Sequence, residues 1–260
     1  MKSPAAPFAV SGAKPASAGN PARYFQTLSA ALLLILMLVG FHHFYFQGRA
    51  YPAARPITPP IRGLVILHGS AMAVWMVLFL VQPLLILSGN RNAHKRLGIL
   101  ASCFAAAVVV LGLKLAVESA RVKPEGMVQF GMNPRQFMAI PMMSILFFAG
   151  FVSAAIAYRR RPARHRAFML TGTLFAISAA VARIDALTQL YAGTVLARIW
   201  GPYFMTVAVA FFLLALKGVL SRSLDRPLAL SCVALAGLLA LNVQLAMTPA
   251  WESVASFLLR

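Results

Sequence analysis

The sequence predicts an all-α fold, a polytopic membrane helix bundle of about seven transmembrane helices with the N-terminus inside. Three observations carry this. Of 260 residues, 60% are hydrophobic and only 11% charged, too few charges to coat a soluble domain, so most of the surface is solvated by lipid. Several uncharged apolar stretches reach the roughly 20 residues that cross a bilayer core as helix. The basic residues behind the formal net charge of +19 stand at the ends of those stretches, where they meet lipid headgroups and set topology. The same placement argues against a nucleic-acid partner. The weakness of strand alternation argues against a barrel.

The elements follow in order. Residues 1–22 are rich in Pro, Ala, Ser and Gly and lack an apolar run, which predicts a disordered N-terminal tail. The transmembrane helical domain covers 23–248. Its first apolar stretch ends in bulky aromatics with no small-residue cleavage site close behind, so it reads as an anchor that stays. Spans are expected at about 25–47, 63–88, 97–117, 136–158, 167–190, 200–220 and 227–247. The Pro-rich PAARPITPPIR between the first two is an extended, stiff connector. Residues 249–260 are too short to span and form a surface segment. Cys103 and Cys232 lie inside apolar runs as packing residues, with no disulfide or CxxC site implied.

Lys and Arg counts give the orientation. One side collects Lys2, Lys14, Arg23, Arg91, Lys95, Arg96, Arg159, Arg160, Arg161, Arg164, Arg166, Lys217, Arg222 and Arg226. The other side has the smaller and looser set, so the first is inside. Its basic loops are expected to hold anionic lipid. A bacterial inner membrane, crossed many times, is the expected location.

A faint internal repeat runs through the middle. Arg-Asn-Ala-His94-Lys-Arg-Leu-Gly98 and Pro-Ala-Arg-His165-Arg-Ala-Phe-Met169 both open the second helix of a hairpin. Twenty residues beyond each histidine stands a charge, Lys114 in one and Asp185 in the other. With Glu118 and Arg183 these form an expected buried polar cluster, Lys114 pairing with Asp185, since ionisable groups at membrane depth face the bundle interior. Snorkelling to the headgroups is the bland alternative for the long side chains.

The histidines are the other candidates. His42 and His43 close the first span inside an aromatic girdle, Phe41-His-His-Phe-Tyr-Phe46. His68 lies about two turns deep in the second span and precedes Gly69, Ser70 and Ala71, small residues that permit close approach by a helix or a planar cofactor. A bis-histidine haem needs two imidazoles from different helices at one depth, which His68 with His42 or His43 supplies. His68 is therefore expected to face span one. His94 with His165 is a second pair, in turns that read as wet, with Arg91, Arg96, Arg164 and Arg166 available for propionates. No sulfur or carboxylate cluster marks a zinc or iron–sulfur site.

Ile-Leu-His68-Gly, His94-Lys-Arg-Leu-Gly and Arg-His165-Arg-Ala-Phe-Met together resemble a group of bacterial predicted multi-pass membrane proteins of unknown function, over mainly residues 62–185. In layout they are also similar to transmembrane diheme ferric-reductase cytochromes. This chain departs from those in placing His94 and His165 at helix entrances. The leading functional reading is a b-type haem or related redox membrane protein centred on His68. The alternatives are a transporter or permease using the Lys114, Glu118, Arg183 and Asp185 cluster, and an accessory factor assembling another membrane complex.

Overall fold

A computed structural model describes residues 21–50, 55–57, 59–124 and 126–260. The expected tail 1–22 lies outside the described residues except for Pro21 and Ala22, which open a 3-10 turn, Pro21–Tyr24. Part of the Pro-rich connector also lies outside them. The described residues are mainly helical, with one antiparallel pairing of β1 (Arg49–Ala50) with β2 (Arg55–Pro56) and an isolated bridge between Gln129 and Met132.

The helices are α1 (Phe25–Gly40), α2 (His42–Gln47), α3 (Pro59–Leu87), α4 (Arg91–Arg121), α5 (Pro134–Ala157) and α6 (Pro162–Val181). After them come α7 (Asp185–Thr188), α8 (Val195–Trp200), α9 (Phe204–Ser221), α10 (Arg226–Ala246) and α11 (Pro249–Leu258). Among the described residues, six helical segments are long and apolar enough to cross a membrane: those ending in α1, α3, α4, α5, α9 and α10. The seventh long helix, α6, is the most enclosed. It packs against α1, α5, α9 and α10, and it buries Thr171, Gly172, Thr173 and Ser178 alongside Leu170, Leu174, Phe175 and Ile177. Its small and hydroxylated residues lower its apolarity and let neighbours approach. At Gly40 a Cβ would overlap the backbone carbonyl of Ala180, and at Gly172 it would meet the backbone and side chain of Val152.

Two element ends differ from expectation, each for a physical reason. The first span does not run to residue 47. It ends at Gly40, pressed on α6, and the chain turns at Phe41 into α2, whose aromatics lie over α3: the Phe44 ring covers Gly69, and the Tyr45 hydroxyl donates to the Gly69 carbonyl at 3.1 Å. The fifth span stops at Val181 rather than 190, because Arg183, Asp185, Thr188 and Gln189 follow within a few residues and are too polar to continue in lipid.

Helix starts are set by caps. Asn90 accepts from Ala93 N–H at 3.0 Å and opens α4, Asn133 and Gln136 form a reciprocal capping box at α5, and Asp225 accepts from Leu228 N–H at α10. Inside the bundle, α5, α9 and α10 are joined by one polar node. The Ile140 carbonyl, next to the ring of Pro141, accepts from Ser144 Oγ at 2.9 Å, Tyr203 Oη at 2.5 Å and Asn242 Nδ2 at 3.2 Å. Asn242 Nδ2 also donates to Tyr203 Oη at 2.9 Å. All three side chains are buried, so each bond is made where an unpaired polar group costs most.

Candidate functional site

The close approach of two imidazoles at one end of the bundle is the arrangement with the most chemistry in it. His94 stands in the first turn of α4 and His165 in the first turn of α6. Both are half-buried, and their ring centres lie 6.5 Å apart with an interplanar angle of 83°. The expectation that both sit in wet turns is corrected here. The Asn90 cap and Pro162 at the start of α6 begin these helices three residues before each histidine, so both rings turn inward against the ends of α3 and α5.

Each ring is held through Nδ1. In α5 the last turn leaves its carbonyls short of donors: Arg159 N–H bonds to the Ile156 carbonyl rather than to that of Ala155. His165 Nδ1 fills the gap at 2.9 Å from the Ala155 carbonyl. A carbonyl only accepts, so His165 donates from Nδ1–H, which in the neutral ring leaves Nε2 as the lone pair. His94 Nδ1 meets Gln82, whose backbone carbonyl is 3.4 Å away and whose side-chain amide reaches the same nitrogen. The amide also bridges the His94 carbonyl (3.2 Å) and Gly98 N–H (3.0 Å) when its nitrogen points to His94. Gln82 can thus satisfy either tautomer of His94, accepting from Nδ1–H through its carbonyl or donating to a bare Nδ1 through its amide. A backbone carbonyl on the far nitrogen is how protein structures orient imidazole ligands.

The surroundings are cationic. Arg91, Lys95, Arg96 and Arg166 are exposed beside the pair. The Arg164 guanidinium lies over the Tyr158 ring at 5.1 Å. Among the described residues no three His, Cys, Asp or Glu side chains gather into a metal-binding group. The two imidazoles are therefore the whole ionisable donor set.

The outer histidines are arranged differently from expectation. His68 does not face span one. Its Cε1 lies 3.0 Å from where a Gly112 Cβ would stand, in a notch on α4 beside Ile145 of α5, and its Nδ1 is buried without a hydrogen-bond partner. The notch exists because Gly112 has no side chain. His42 and His43 lie against each other, 3.8 Å between centres with the rings tilted by 41°, and bond locally, His42 Nδ1 to the Val39 carbonyl at 2.7 Å and His43 Nδ1 to Gln47 Oε1 at 3.0 Å. Phe44 and Tyr45 occupy the face of α2 that lies on α3. None of these contacts joins His68 to His42 or His43.

The expected pairing at Lys114 does not form. Lys114 is exposed on α4 and does not pair with Asp185, which lies beyond the end of α6. Glu118 binds Arg121 one turn along its own helix, 2.9 Å. Arg183 bonds the Ala179 carbonyl and lies 4.9 Å over the Phe41 ring. Snorkelling explains Lys114 better than burial does.

Gln82 is the site residue that sequence reading missed. Its signal was an amide inside an apolar stretch, twelve residues before His94. No family model matches this sequence, nor does any curated protein or solved structure.

Proposed function

We propose that this chain is a seven-span protein of a bacterial inner membrane, N-terminus inside, that holds a redox-active haem b between His94 and His165. The observation that carries the reading is the pair of imidazoles from different helices, each tied back through Nδ1, with ring centres 6.5 Å apart. An imidazole nitrogen sits about 2.0–2.1 Å from a bound transition metal, and rings this close from two helices would let His94 and His165 hold one ion between them. The donor set points the same way. Zinc asks for three or four protein ligands, whereas haem iron supplies its own equatorial nitrogens and asks the protein for two axial ones.

Bound there, the iron supplies one-electron chemistry at the membrane surface. The chain's own part is positional. The Ala155 carbonyl accepts from His165 Nδ1–H, Gln82 orients the His94 ring through its Nδ1, and Arg91, Arg96 and Arg166 are the cations that would neutralise the carboxylates of the macrocycle. Counting α6 as a span rests on its 20 residues, about 30 Å of helix and one bilayer core. The inside assignment rests on the basic clusters at this end.

The test is the visible spectrum of protein purified after expression with ample haem. A Soret band that sharpens and shifts on reduction is expected, and His94→Ala and His165→Ala should each abolish it while His68→Ala leaves it in place. A flat spectrum, or a band that survives both changes, overturns the reading.

A further inference from the structure

The α5–α6 turn carries five arginines, Arg159, Arg160, Arg161, Arg164 and Arg166, all exposed. None pairs with a carboxylate among the described residues. Of the acidic side chains among the described residues, Glu118, Asp185, Asp225 and Glu252, only Asp225 lies at this end, where it caps α10. The ion pairs of Arg121 with Glu118 and of Arg135 with Glu252 lie at the opposite end.

Two of the five are held in a defined posture. Tyr158 ends α5, its carbonyl accepts from Arg161 N–H at 2.8 Å, and its ring is braced edge-on by Phe168 with centres 5.6 Å apart. Over that ring lie the guanidinium of Arg161 at 5.8 Å and that of Arg164 at 5.1 Å. A guanidinium on an aromatic ring keeps its N–H edge free, and that edge matches two oxygens of a phosphate.

We propose that Arg161 and Arg164, held on Tyr158, bind the phosphate of an anionic phospholipid. The occupant is a lipid because α5 is apolar and long enough to cross the bilayer, and Tyr158 stands at its end. That is the depth of headgroups, where tyrosine and arginine are both at home. This site stands independently of the haem reading.

Native mass spectrometry of the full chain, released from micelles with mixed phosphatidylglycerol and phosphatidylcholine, tests it. Phosphatidylglycerol should be retained in preference. The double change Arg161→Gln, Arg164→Gln should weaken retention about tenfold or more, the scale of a lost bidentate phosphate contact. The equally charged control Arg159→Gln, Arg160→Gln should lose much less. Arg164→Lys, which keeps charge and folding but not the fork, should lose an intermediate amount. Equal losses in the two double variants, or no preference between lipids, overturn the site. Displacement of the lipid by an equal concentration of inorganic phosphate overturns the assignment to a lipid.

Discussion

At the scale of single residues, the account turns on how a helix end is completed. A carbonyl left without its donor at the end of α5 accepts from His165 Nδ1–H, and Gln82 of α3 orients the His94 ring through its Nδ1. Gln82→Leu is therefore expected to weaken haem retention about 10–100-fold, the usual cost of losing an orienting partner behind a ligand, while Gln82→Glu should keep it within a few-fold. Titration of haem into the apoprotein measures both, and wild-type affinity in the leucine variant would remove Gln82 from the site. The repeated motifs around His94 and His165 were legible as a pair of equivalent helix starts. Their contact was not, because it depends on where the ends of α3 and α5 lie, which no local pattern encodes. Gln82 was missed because an uncharged amide in an apolar run looks like tolerated polarity.

Among the elements, the helices were legible from apolar runs and caps, and their ends were read less well. Lys114 and Asp185, twenty residues beyond equivalent histidines, suggested a cross-bundle pair. The pairing failed because α6 stops at Val181 and Lys114 points outward. Lys114→Met and Asp185→Leu should therefore have additive effects on thermal stability in detergent, with Lys114→Met alone within about 0.5 kcal/mol of wild type. A coupling energy above about 1 kcal/mol would contradict the outward placement. The helix contacts predict the opposite for Gly40, whose Cβ position is filled by the Ala180 carbonyl. Gly40→Ala should cost about 1–3 kcal/mol, because backbone cannot step aside as a flexible side chain does. The node at Ile140 predicts about 1–2 kcal/mol for Tyr203→Phe, which takes a donor from the carbonyl and an acceptor from Asn242. Unchanged melting in either variant would count against the packing around α6 and α5.

For the whole molecule, α6 forms the axis: it is the most buried of the long helices and packs against α1, α5, α9 and α10. Hydropathy finds a surface facing lipid, so it reads outer helices clearly and an enclosed one poorly. The bundle also polarises charge, with the five-arginine cluster at the imidazole end and the Arg121–Glu118 and Arg135–Glu252 pairs at the other. With the imidazole end inside, single cysteines introduced at Asn92 and Ala163, in a background lacking Cys103 and Cys232, should resist impermeant thiol reagents in intact cells and react after lysis. Reaction before lysis would invert the molecule and place the iron on the opposite face. The paired imidazoles are the central claim, and electron paramagnetic resonance of the oxidised, haem-loaded protein tests them most directly. Axial imidazoles with planes near the observed 83° leave two iron orbitals almost degenerate. The account therefore predicts a strongly anisotropic low-spin ferric signal that His94→Ala or His165→Ala converts to high spin or eliminates. A purely high-spin signal in the unmodified protein, or a low-spin signal indifferent to both changes, would contradict it.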